Sequence, residues 1–125
     1  MKLKTKIILF FTVLFLIAGC VIPVQQVKLS PEEDALFRAA RGGHADTVKE
    51  VLKPGKVNIN VKDEQGRTPL IEAARNGHND VVRTLLNAGA DAKLRDLQGK
   101  TALGYASEGG HKESVTLLRQ AGATE

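Results

Sequence analysis

Apolar residues are arranged in two different ways along the chain. Residues 7–18 form one run broken only by Thr12, whereas beyond Ser30 apolar side chains recur in short groups, each closed by glycine. Between the two, residues 21–30 set Pro23, Gln25, Gln26 and Lys28 among valines and offer no apolar face of useful length. This stretch is expected to be a tether, reaching at most about 33 Å when extended.

The later pattern repeats. His44, His78 and His111 are separated by 34 and 33 residues, and Gly43, Gly77 and Gly110 precede them. Leu36, Leu70 and Leu103 stand before each His at a fixed offset, Val48, Val82 and Val115 after it, and Gly55, Gly89 and Gly122 close each unit. In the middle unit Thr68 can cap a helix that begins at Pro69, where a missing N–H costs nothing. Leu70, Ala73 and Ala74 then share one face at helical spacing. Gly77 is expected to end that helix in the left-handed conformation. A second helix is predicted over 79–87 with Val82, Leu85 and Leu86 inward, ended by Gly89.

These residues, Gly66 to His78 followed by Val81, Val82, Leu85, Leu86 and Ala88 to Ala90, resemble an ankyrin repeat, a unit of about 33 residues with a β-turn and two helices. The resemblance covers residues 30–125 and implies an all-α fold, a short ankyrin-repeat solenoid of helix-turn-helix units with β-turn fingers. Repeats are expected at about 30–62, 63–95 and 96–125. Turns at Asp63 to Gly66 and Asp96 to Gly99 are the predicted fingers, and the extra residue of the first period falls in Lys56 to Asn60. The ends differ from the middle, as terminal repeats facing water must. Ser30-Pro31-Glu32-Glu33 reads as a capping box, and Arg119 stands where the middle unit has Leu86. The usual His after Thr-Pro-Leu is Ile71 in the middle unit and Gly104 in the last, so hydrogen bonds that stiffen the turn are expected to be partly missing.

The apolar run near the start follows Lys2, Lys4 and Lys6 and leads into Ala18-Gly19, the layout of a secretory signal peptide. It is shorter than the roughly 20 residues a membrane span needs. Leu16-Ile17-Ala18-Gly19-Cys20 resembles a bacterial lipobox. That resemblance implies a signal peptide over 1–19, acylation of Cys20, with palmitate among the chains, and a lipidated N-terminus and tether over 20–29. The alternative is an uncleaved anchor in which Cys20 is simply a small apolar residue. Either places the remainder outside the cytoplasm, and the lipobox implies the bacterial cell envelope, facing the periplasm. Val21 after Cys20, in place of an acid, leans toward the outer membrane by resemblance to known lipoproteins.

Charge then changes meaning. The chain has 18 Lys+Arg against 14 Asp+Glu, a formal +4 that would suggest an anionic partner. Without residues 1–19 it loses three lysines and no acid, leaving 15 bases against 14 acids, a net of +1. Only Phe37 and Tyr105 remain of the aromatics, too few for a stacking platform. No nucleic-acid partner is expected. One Cys excludes an internal disulfide framework.

Catalytic and metal chemistry find no support. Three His, one per repeat, cannot converge on a metal that needs ligands at about 2 Å when packed helices lie about 8–10 Å apart. Each is expected to bond to local or neighbouring backbone instead. Gly99-Lys100-Thr101 resembles the end of a phosphate-binding loop, but the position of its first Gly is Leu94. Ser107 and His111 are separated by Gly109-Gly110 and no acid is placed to complete a triad. The expectation is no enzyme activity, no cofactor and no metal.

What remains is a binding surface. In ankyrin-like folds the fingers and first helices line a concave face, and the resemblance assigns Arg38, Glu72 and Tyr105 to one set of positions and Arg41, Arg75 and Glu108 to the next. The fingers add Lys62, Arg67, Arg95 and Lys100, alongside Asp63 and Asp96. None of these is expected to be needed for the core, and Arg and Tyr are the types that carry binding hot spots. The expected function is a membrane-anchored protein-binding module, an adaptor or inhibitor of another exported protein. The alternatives are a periplasmic scaffold supporting envelope or oxidative-stress proteins, and self-assembly of the incomplete end units into a homo-oligomer.

Overall fold

Six helices run in three antiparallel pairs through the computed structural model, which describes residues 27–124. In chain order they are α1 Pro31–Gly42, α2 Ala45–Leu52, α3 Pro69–Asn76, α4 Asn79–Asn87, α5 Ala102–Glu108 and α6 Lys112–Gln120. Helices α1, α3 and α5 pack side by side as an inner row, and α2, α4 and α6 as an outer row. Among the described residues none is long and apolar enough to cross a membrane. The signal-peptide segment and Cys20 lie outside the described residues.

Local chemistry sets the boundaries. Ser30 Oγ accepts from the Glu33 N–H at 3.2 Å while Glu33 Oε2 accepts from the Ser30 N–H at 2.9 Å, the reciprocal box that opens α1. Thr68 and Thr101 accept from the N–H groups of Ile71 and Gly104 at 3.3 and 3.2 Å, opening α3 and α5. Gly77 ends α3 at φ 72°, and a Cβ there would stand 2.5 Å from the His111 ring, so both conformation and space require glycine.

The first helices contribute Leu36, Leu70 and Leu103 to one continuous core, with Ala39, Ala40, Ala73, Ala74 and Ala106 between them. The second helices add Val48, Val81, Val82, Leu85 and Leu118. Burying each Leu is worth about 1.5–3 kcal/mol. Leu86 and Val115 are only half-buried. Both pack against the core from the second helices, Leu86 on α4 and Val115 on α6, the last described helix.

The two fingers are held from within. Asp63 Oδ1 accepts from the N–H groups of Gln65 and Arg67, and Asp96 Oδ1 from those of Gln98 and Lys100, all at 2.9 Å. The stiffening expected to be partly missing is therefore supplied by the aspartates. The fingers also pair with each other, the Leu97 N–H donating to Gln65 O at 3.0 Å and Lys62 Nζ to Arg95 O at 3.2 Å. A Cβ at Gly66 would lie 2.9 Å from the Leu97 nitrogen, so glycine lets the fingers stack this closely.

Candidate partner-binding groove

The second helix of each repeat begins at a His whose side chain makes no capping bond. The ring is left to reach backward. His78 Nε2 donates to Arg41 O at 2.9 Å and His111 Nε2 to Arg75 O at 3.2 Å. Both carbonyls belong to the last turn of the preceding first helix, where no intrahelical donor exists. Neighbouring repeats are thereby locked in register, and Arg41 and Arg75 are fixed at matching places along the inner row. Among the described residues no group of three or more His, Cys, Asp or Glu could hold a metal ion.

Between Arg41 and Arg75 sits Glu72, and here the structure departs from expectation. Glu72 is 1 % exposed, a buried charge within the inner row, not a surface residue. Three guanidinium groups surround its carboxylate, those of Arg67 at 2.7 Å, Arg41 at 3.5 Å and Arg75 at 3.9 Å. Arg67 stands closest to Oε1 but without the alignment of a hydrogen bond, so that oxygen is neutralised by charge and has no directed donor. Burying a carboxylate requires such pairing. Glu72 is thus needed to hold the inner row and is withdrawn from direct contact with a partner. The sequence places it on the inner face, but its burial depends on arginines from the finger, its own helix and the preceding repeat.

Arg67 is also largely withdrawn. It binds Asp63 Oδ2 at 3.2 Å and Gln65 Oε1 at 3.0 Å, and its side chain is 16 % exposed. Arg41 and Arg75 keep 59 % and 50 % of their side-chain surface in water.

A groove of about 440 Å³ opens where the two fingers meet the inner helices, lined by Glu64, Gln65, Arg67, Arg75, Asp96, Leu97, Gln98 and Tyr105. Leu97 projects from the second finger with 78 % of its surface exposed, and no sequence pattern had marked it. Tyr105 donates its hydroxyl hydrogen to Asp96 Oδ2 at 2.5 Å, and the Lys100 ammonium lies 4.7 Å from its ring centroid. Burial alone would raise the Asp96 pKa, but the Tyr105 hydroxyl and the Lys100 and Gln98 N–H groups outweigh it and hold the carboxyl below its ordinary value. The same hydrogen bond, aided by burial, pushes the Tyr105 phenol above its ordinary value.

The expected site residues therefore divide. Arg67, Arg75 and Tyr105 meet in the groove, with Arg41 beside them through Glu72. Arg95, Lys100 and Glu108 line a separate recess beside the second finger, where Lys100 Nζ pairs with Glu108 at 2.7 Å and Arg95 donates to Gly99 O. Arg38 lies further along the inner row, paired with Asp34 at 2.8 Å in a separate open recess of about 880 Å³ at the N-terminal end. Lys62 bridges the fingers.

A stack of helix-turn-helix units with paired fingers and a locked His in each new unit defines a repeat solenoid. Residues 10–96 and 36–124 match the family model described as ankyrin repeats in three copies, and the chain belongs to the ankyrin-repeat family. The first match reaches into the segment expected as the leader. No curated protein matches the chain. Ankyrin repeats generally mediate protein–protein interaction, and proteins built from them are typically binding modules, not enzymes.

Proposed function

We propose that the protein is a lipid-anchored binding module of the bacterial cell envelope that restrains or adapts another exported protein through its concave face. The observation that carries this reading is the groove between the fingers. Arg75, Tyr105 and the exposed Leu97 gather there although neither Arg75 nor Leu97 contributes to the buried core. Such a mix of arginine, aromatic and apolar surface is what interfaces enrich. The anchor rests on Leu16 to Cys20 in the sequence, and a tether of residues 21–30 would keep the start of the repeat domain within about 33 Å of the membrane.

Two measurements test the two halves. Cys20→Ser is expected to abolish incorporation of labelled palmitate, and persistent labelling would remove the anchor. For the concave face, a crosslinked pull-down from membranes compares the wild type with an Arg38→Ala, Arg75→Ala, Tyr105→Ala triple variant. Selective loss of a partner is expected, and equal recovery of every protein would remove the concave face as the binding surface.

A further inference from the structure

The groove also carries information about the chemistry of its partner. Apart from Glu64, the acids in it and beside it are spent internally. Glu72 is buried among the arginines, Asp63 is bound to Arg67 and to its own turn, and Asp96 is held by Tyr105 and two backbone N–H groups. The exposed cations, Arg75 in its lining and Arg41 beside it, are not. Arg41 and Arg75 meet Glu72 only at 3.5 and 3.9 Å, with half or more of each side chain in water. Arg67 meanwhile stands nearest the buried carboxylate, at 2.7 Å. Glu64, on the finger, is the one exposed acid of the lining. The surface offered at the helix side of the groove is therefore positive, although the chain beyond residue 19 is nearly neutral.

Resting on the reading of this groove as the partner-binding face, we infer that the partner engages it with an acidic segment. Asp or Glu carboxylates seat on Arg41 and Arg75, and an apolar side chain packs on Leu97 and Tyr105. Guanidinium groups can take a carboxylate through two parallel hydrogen bonds, which fixes orientation as well as charge. The two arginines are spaced by the stacking of successive repeats and fixed by the His78 and His111 bonds to their carbonyls. Successive carboxylates along an extended segment are thus read by a pre-set pair. A basic segment would face two exposed like charges and find every acid of the groove but Glu64 already engaged, which is costly for a wrong partner.

The test uses the full chain in its membrane with a photo-crosslinking residue, Leu97→benzoylphenylalanine. The adduct is mapped by mass spectrometry in the otherwise wild-type chain and in Arg41→Glu/Arg75→Glu, Arg41→Gln/Arg75→Gln and Arg41→Lys/Arg75→Lys backgrounds. An adduct on a protein segment carrying at least two carboxylates is expected. Its yield should fall about tenfold or more on charge reversal, less on neutralisation and least with lysine. The glutamine pair removes charge without introducing new repulsion, and thermal melts of each background report whether the fold is kept. An adduct undiminished in the reversed and neutral backgrounds, or mapped to a segment without Asp or Glu, overturns the acidic-segment inference and leaves groove binding standing. An adduct with lipid only, or none with any protein, overturns both.

Discussion

On the outer row, Lys49 pairs with Asp46, Lys53 with Glu50 and Arg83 with Glu113, and every one of these side chains keeps half or more of its surface in water. On the inner row a single carboxylate, Glu72, lies 1 % exposed under three arginines. Both rows are rich in charge. On the outer row it is screened and each pair is worth little. On the inner row it is built into the packing, and the buried acid holds Arg67 in place while Arg41 and Arg75 remain half in water above it. Counting charges along the sequence treats the two rows alike, whereas burial makes one a solvated face and the other an organised surface.

The largest effect should come from below both rows. Leu85 is fully buried in the middle one of the three described units, and Leu85→Asp places a charge there with no partner. A cost above about 4 kcal/mol is expected, more than a short array can spare. Circular dichroism should show loss of the cooperative melt, and an unchanged melt would refute the stacking.

Next comes Glu72. Glu72→Ala leaves three arginines without their shared carboxylate, but Arg67 keeps Asp63 and Gln65 and the other two reach water. The expected cost is about 1–3 kcal/mol in urea denaturation. Glu72→Leu, which fills the space with apolar atoms, should cost less, since replacing buried charge by packed apolar groups is often neutral. If alanine and the wild type were equally stable, the inner-row carboxylate would be no different from those outside.

A smaller effect concerns the Tyr105 to Asp96 hydrogen bond. The depressed Asp96 pKa contributes stability that is present above about pH 4 and lost as the pH falls through the lowered value. The raised Tyr105 pKa contributes stability that is full below about pH 10 and lost as the pH rises through the raised value. Tyr105→Phe should therefore remove the alkaline loss and lessen the acid one, read as denaturation midpoints across the pH range. The smallest effect is on the outer row. Arg83→Ala breaks the 2.8 Å pair with Glu113, both side chains 53 % exposed, and should cost no more than about 1 kcal/mol, less still in high salt.

Much of the fold was legible because it rests on local chemistry repeated three times. Ser30, Thr68 and Gly77 cap and close helices as their types dictate, α4 spans Asn79–Asn87, and the histidines of the second and third units bond to neighbouring backbone. The candidate site was legible only as a face. Glu72 occupies the place of Arg38 and Tyr105 in the other units, and nothing in its own helix says that it is buried. Its burial needs Arg41 from one repeat earlier and Arg67 from the finger. The Tyr105 to Asp96 bond and the exposure of Leu97 likewise depend on how a finger folds back over its helix. Period and residue type do not encode that.

The comparison of the two rows is tested most directly by matched charge reversals in the whole chain. Arg41→Glu/Arg75→Glu alters the inner row, and Lys49→Glu/Lys53→Glu alters the outer row by the same charge at similar exposure. Crosslinked recovery of partner protein is then compared with the wild type. The account predicts loss of the partner in the inner-row variant and retention in the outer-row variant. Equal loss in both, or loss only on the outer row, would contradict it.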